Sequence, residues 1–213
     1  MPYIGVERST EEPALQTNEN EALWLAQAQE GDDEAFASLV EAYQVPVYNL
    51  CYRMLGNGND AEDAAQETFM RAYKAIKRYD PKRKFSTWLL SIASNYCIDQ
   101  HRRRKLPTFS IEDTPTGDVP EKAISMDDRL ALGEERSQVQ DLLKNLSEKD
   151  RAALIMRYWY DYSYEEIAES LSLTVSAVKS RLHRSRRELA GEWTELQSQT
   201  LAAERTHHGS PAF

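Results

Sequence analysis

Helical periodicity fills this chain in two blocks, and between them it stops. Apolar residues recur three or four apart from Glu21 to about Lys105, and again from Met126 onward. The stretch "LPTFSIEDTPTGDVPEKAIS", residues 106–125, has three prolines, a glycine, several acids and no period. That is the composition of a linker. The expected fold is all-α: two small helical domains joined by a flexible linker. A chain of 213 residues is long enough to bury a genuine core. The predicted boundaries are a flexible extension over 1–18, a first domain over 19–105, a linker over 106–127, a second domain over 128–192 and a flexible tail over 193–213. Apolar runs stay well short of the ~18 residues that a membrane span needs, so no membrane insertion is expected. The N-terminus lacks a basic-then-apolar leader, which predicts no export.

Four helices are predicted in the first domain. Gly31 breaks the first, and Asp32 or Asp33 can cap the second. The second carries Phe36, Leu39, Val40 and Tyr43 on one stripe and should kink or restart at Pro46. "GNGN" at 56–59 marks a turn. Asp60 is then expected to cap "DAEDAAQETFMRAYKAIKRY", with Ala61, Ala64, Ala65, Phe69, Ala72 and Ile76 along one side. A basic loop, "DPKRK", leads into "FSTWLLSIASNYCIDQHRRRK", whose inward face is Trp88, Leu89, Ile92, Ala93, Tyr96 and Cys97. In the second domain, helices are expected over 147–160, 163–171 and 174 to about 193.

The net charge of −9 hides a segregation of sign. Residues 1–70 hold 14 acids and 2 bases, a net of −12, whereas 71–105 hold 11 bases and 2 acids, a net of +9. Blocks of this size suggest separate surfaces for separate partners.

The sharpest local signal is "YSYEEIAESLSLTVSAVKSRLHRSRREL". Ile167, Ala168 and Leu171 share one helix face, Ser172-Leu173-Thr174 turns the chain, and Thr174 can cap the next helix through its hydroxyl. Val175, Val178, Leu182 and Leu189 then face the core. That leaves Ser176, Ala177, Ser180, Arg181, Arg184 and Arg187 on the opposite side, which is the layout of a DNA-reading helix. Small and hydroxyl side chains at its start let the backbone approach base edges. Arg181 and Arg184 suit a guanine edge or a phosphate, and Lys179, Arg186 and Arg187 suit phosphates. Residues 71–105 differ in kind, because their cations are interleaved with Tyr73, Tyr79, Phe85, Trp88 and Tyr96. Such a mixture suits unstacked, single-stranded bases. Trp88 and Tyr96 fall on the apolar face and read as core rather than as base platforms, so Phe85, beside Lys84, is the better base platform. Asn95, Gln100 and Arg103 can add polar contacts. The acidic start "DAEDAAQE" reads either as a capped helix N-terminus or, with Gln66, Glu67 and Arg71, as a surface for another protein.

Together these stretches resemble the extracytoplasmic-function class of bacterial RNA polymerase sigma factors, over roughly residues 20–105 and 130–190. The resemblance implies a specificity subunit with no bond chemistry, directing promoter recognition, strand opening and transcription initiation in a stress or envelope response. It places Asp60, Glu62, Asp63, Gln66, Glu67, Phe69 and Arg71 against the clamp helices of the largest polymerase subunit, with Phe69 as a buried anchor. Lys84, Phe85, Ser86, Trp88, Asn95, Gln100, Arg102 and Arg103 would hold the unpaired non-template strand of the minus-ten element. Thr174, Ser176, Ala177, Lys179, Ser180, Arg181, Arg184 and Arg187 would read the minus-thirty-five duplex. Implied partners are core polymerase, including its beta-subunit flap, promoter DNA and an anti-sigma protein wedged between the two domains. The free protein would be a monomer acting in the cytoplasm at the nucleoid, or held at the inner membrane face by that anti-sigma protein. Two departures stand out: Ser172 occupies a turn position where glycine is common, which predicts strain, and Ala177 replaces a usual threonine.

Rival readings fare worse. A response regulator with the same DNA-reading motif needs a receiver or ligand pocket, and residues 20–105 supply neither strands nor phosphate-accepting acids. A nuclease needs acids or histidines clustered in a cleft, and the acids here sit at helix starts and in the linker. Cys51 and Cys97 lie in apolar helical patterns with no metal-ligand spacing and read as free buried thiols. His207 and His208 alone make a poor metal site. No catalytic residue, metal or cofactor is assigned.

Overall fold

The computed structural model describes residues 20–105 and 139–207, with side chains to 104 and from 139 to 194. The expected extension 1–18, the linker 106–127 and the last residues of the tail lie outside the described residues.

In the first domain, α1 (Glu21–Glu30) ends at Gly31, whose φ of 103° is open to glycine. The Gly31 N–H bonds the Ala28 carbonyl and the Asp32 N–H bonds the Gln27 carbonyl, closing the helix in a Schellman turn. Asp32 then turns from terminator to cap. Its carboxylate accepts from the Glu34 and Ala35 N–H groups at 2.9 and 3.1 Å and starts α2 (Asp33–Leu55). Phe36, Leu39, Tyr43, Val47, Leu50 and Met54 form the buried stripe of α2. Of the kink or restart expected at Pro46, the restart does not occur, and the helix runs on through the proline. Packing along this stripe on both sides of the proline outweighs one missing hydrogen bond.

Asn57, not Asp60, caps α3 (Gly58–Ala75): its side chain accepts from the Asp60 N–H at 2.8 Å. The buried face of α3 is Ala61, Ala64, Ala65, Thr68 and Ala72, and small residues let it lie close against α2 and α4. A 3₁₀ turn (Ile76–Arg78) follows. Gln29 from α1 fastens that turn by donating to the Ile76 and Tyr79 carbonyls. The last helix of the domain is α4 (Phe85–Lys105). Cys51 and Cys97 are free and buried, as expected.

The second domain opens with α5, helical over 139–145. Next come α6 (Glu148–Trp159), capped by Ser147, and α7 (Tyr164–Ser170), capped by a reciprocal Ser163–Glu166 box. The last helix, α8 (Val175–His207), extends well past the predicted end near Trp193 into the supposed tail. Ile167, Leu171, Val178, Leu182, Ile155 and Met156 fill the centre. The two domains touch: α6 packs on α2 and α4, and α7 packs on α4.

Candidate nucleic-acid and polymerase surfaces

Three surfaces can be built from the residues upward. On α3, Glu62, Asp63, Gln66, Met70 and Arg71 are exposed, and Phe69 is half-buried against the core. Asp63, Gln66, Glu67 and Met70 fall three and four apart, so they form one stripe along the helix. Glu67 and Arg71 pair at 2.8 Å, and the Arg71 guanidinium lies over the Tyr96 ring at 4.7 Å. Arg71 thereby holds the Glu67 carboxyl below its usual range. Asp60 leaves the stripe, since both its oxygens bind the Arg104 guanidinium, tying the start of α3 to the end of α4. That pairing, joined by Asn57, lowers its pKa despite partial burial. Met70, exposed on the stripe, has no role in the sequence analysis, and Tyr73, also exposed, enters it only among the aromatics of the basic block. Their spacing from Gln66 and Glu67 was the available signal.

The second surface spans the loop after the 3₁₀ turn and the length of α4. Phe85 is not a platform for bases there. It is 2 % exposed and packed edge-on against Tyr43 and Tyr79, with ring centroids at 5.2 and 5.5 Å. An aromatic at the first position of a helix that docks on two others serves as core. Trp88, half-buried above Phe85 and Tyr79, is the ring left partly free. Burial pushes the Tyr79 hydroxyl up to about 12, so it acts as a neutral donor to the Arg83 carbonyl. Lys84, Asn95, Arg102 and Arg103 are exposed, whereas Ser86 and Gln100 are half-buried. Gln100 donates to the Tyr96 hydroxyl.

The third surface is the start of α8. Thr174 caps it, its hydroxyl accepting from the Ala177 N–H at 3.1 Å. Ser176, Lys179, Ser180, Arg184 and Arg187 are exposed, and Ala177 is half-buried. Arg181 departs from the expected solvent-facing row. Its guanidinium donates to Asp150 at 2.8 Å, and Asp150 in turn accepts from Ser147. Arg181 therefore braces α8 against α6. Lys179 sits over the Tyr164 ring at 5.5 Å with its ammonium still on the open side. Among the described residues no group of three or more His, Cys, Asp or Glu side chains could hold a metal ion, and no helix is long and apolar enough to cross a membrane.

Residues 39–106 match the Sigma-70 region 2 family and 136–189 match the Sigma-70, region 4 family. The ECF RNA polymerase sigma factor SigW of Bacillus subtilis is 37% identical over 180 residues, covering 81% of this chain and 96% of SigW. The chain belongs to the ECF sigma factors. As a sigma factor it directs transcription initiation. Its fold resembles CnrH, solved in complex with the cytosolic domain of CnrY, at a TM-score of 0.63 and 26% identity over 82% of this chain and 97% of CnrH. The sigma factor RpoE from Bartonella quintana, at 21% identity and a TM-score of 0.54, shares the fold over 72% of this chain and 93% of its own. In this sigma factor, the region 2 match falls within the α1–α4 domain and the region 4 match includes α5, α6, α7 and the first part of α8.

Proposed function

We propose that the three surfaces act together as one promoter-reading device. The α3 stripe of Asp63, Gln66, Glu67 and Met70 docks on the clamp helices of the largest polymerase subunit, with Glu62 and Arg71 at its edge and Phe69 as the inner anchor. Region 4 meets the beta-subunit flap. The cations and polar groups of the second surface, from Lys84 and Ser86 through Trp88 and Asn95 to Gln100, Arg102 and Arg103, hold the unpaired strand. The exposed start of α8 reads duplex DNA upstream, Arg184 and Lys179 through base edges and phosphates and Arg187 through phosphates. Polymerase fixes the span between the two DNA contacts, so each can be weak alone and the second becomes intramolecular. The protein contributes binding and no bond chemistry. The assigned site is the cytoplasm, at the nucleoid, in a stress or envelope response.

The observation that carries this reading is the division of the surface: an acidic, Met-bearing stripe on α3 and two separate cationic faces on α4 and α8. An anti-sigma partner is part of the proposal, supported by a structural neighbour, CnrH, that was solved bound to another protein's cytosolic domain. The test is co-elution with core polymerase and run-off transcription from random promoter fragments. Glu67→Lys is expected to weaken co-elution about tenfold or more, by reversing the charge at the centre of the stripe and placing a like charge beside Arg71, while the far-ultraviolet circular dichroism stays unchanged. Full co-elution and transcription by Glu67→Lys would move the docking surface off α3.

A further inference from the structure

Two side chains hold the DNA-reading helix from its flanks. At about 100° per residue, Ser176, Ser180, Arg184 and Arg187 fall within an arc of roughly 80° on the open side of α8. Arg181 lies about 100° round from the middle of that arc in one direction, and Lys179 about 100° in the other. Each is tied to a different helix. Lys179 rests over the Tyr164 ring of α7 at 5.5 Å, and Arg181 donates to one oxygen of Asp150 on α6 at 2.8 Å. The second tie is the firmer one. Asp150 is 8 % exposed. Its other oxygen accepts from the Ser147 hydroxyl at 2.6 Å, and its backbone N–H donates to that same hydroxyl at 3.3 Å. It stands in the first turn of α6, where the helix dipole favours an anion. The carboxylate is thus fixed before Arg181 reaches it.

Val178 and Leu182, both buried, seat α8 on the core. Apolar contact of that kind is non-directional and leaves the helix free to roll slightly about its own axis. A charge-assisted hydrogen bond onto a fixed carboxylate sets direction as well as distance. We infer that Asp150, acting through Arg181, is a positioning residue for promoter reading. It stops the roll of α8, and so decides which base edges Ser176, Ser180 and Arg184 meet, without touching DNA itself. The inference rests on the reading role proposed above for the start of α8. A recognition site has to be held within about 0.5 Å and 10–20° by the residues behind it, and a roll of that size moves the tip of an arginine off a base edge. Asp150 carries the wrong sign for a DNA contact. Buried behind Arg181, it shapes the reading face without repelling a phosphate.

The test uses the full chain bound to core polymerase and duplexes randomised over the upstream element. Sequencing the bound and unbound pools gives a selectivity ratio between preferred and average sequences. Arg184→Met is the reference for a side chain that reads directly. It is expected to lower that ratio and to reduce the slope of log affinity against log salt by about 0.9. Asp150→Asn removes the charge and keeps the shape, whereas Arg181→Met removes the other end of the tie. Each is expected to lower the selectivity ratio about fivefold with the salt slope unchanged. The double variant is expected to lose no more than either single one, because both remove the same tie. A merely structural pair would reduce the folded fraction, which scales every sequence alike and leaves the ratio intact. An unchanged ratio in Asp150→Asn and Arg181→Met, beside a lowered one in Arg184→Met, would therefore overturn the positioning role alone. So would a salt slope reduced by about 0.9 in Arg181→Met but not in Asp150→Asn, since Arg181 would then sit on a phosphate. An unchanged ratio in all three would sink the reading role of α8, and the positioning role with it.

Discussion

Ser172 ends α7 with a φ of 51°, in the left-handed region. Its N–H bonds the Glu169 carbonyl, and the Leu173 N–H bonds the Ala168 carbonyl at 2.8 Å. A Schellman turn is thus imposed on a residue with a Cβ, at a penalty of roughly 1–2 kcal/mol. Ser172→Gly removes that penalty but gains freedom in the unfolded chain. A net stabilisation of about 0.5–1 kcal/mol is expected, read as a rise of ~2–3 °C in the thermal midpoint. A fall in the midpoint would mean that the serine side chain holds the turn. Strain at this position was legible from the family resemblance, since the serine stands where a glycine is common in the turn. Residue roles set by distant partners were not. Arg181 falls on the exposed arc by spacing alone, yet Asp150, thirty-one positions earlier, turns it into a brace. Phe85 stands beside a basic loop in sequence, but Tyr43 and Tyr79 close over it from two other elements.

At the scale of elements, the helices were legible where an apolar stripe recurred and less so where packing overrode local rules. α2 passes Pro46 because Val47, Leu50 and Met54 beyond it are fully buried, a tertiary gain that no local propensity reports. The cap of α3 was misassigned by three positions for a related reason. Asp60 is a good cap residue, but its carboxylate is claimed by Arg104 from the far end of α4, and Asn57 takes the cap. The alanine face of α3 was legible, and its consequence is testable. Ala64 is 1 % exposed, at a position where α3 rests on its neighbours. Ala64→Leu should overpack that contact and destabilise the protein by ~1–3 kcal/mol, seen as a lower urea midpoint with an unchanged slope. Because α3 would also be pushed outward, polymerase co-elution should weaken although no stripe residue is changed. An unaltered urea midpoint would mean that the contact has slack, and the precise seating of α3 would then matter less than its side chains.

For the whole molecule, the contact between the domains is the feature that sequence reading missed. Two blocks of helical text across a linker carry no mark of how their faces meet. Besides the α4–α7 contacts, the join is made by hydrogen bonds onto carbonyls of α2. Gln140 donates to the Tyr52 and Arg53 carbonyls at 3.1 and 3.2 Å, and the Tyr160 hydroxyl donates to the Pro46 carbonyl at 2.6 Å. Arg151, only 4 % exposed, donates to Met54 in the first domain and to Lys144 and Leu146 in its own. Its guanidinium also meets the His101 ring at 3.1 Å. Burial lowers the Arg151 pKa, opposed by Glu148, so the ion has been taken out of water and depends on those carbonyls. Carbonyls at a helix end find water when a partner leaves, which keeps the net worth of each bond near ~1 kcal/mol and makes the join reversible. Arg151 is the exception, because its removal strands buried acceptors on both sides. Arg151→Met should therefore cost about 3 kcal/mol and, unlike Ala64→Leu, should uncouple the domains. Urea unfolding followed by tryptophan fluorescence, with Trp159 under the Arg53 guanidinium at the join, should split from one transition into two. A single transition with a lowered midpoint would show that Arg151 stabilises region 4 alone, and the reversible join would then rest on Gln140 and Tyr160.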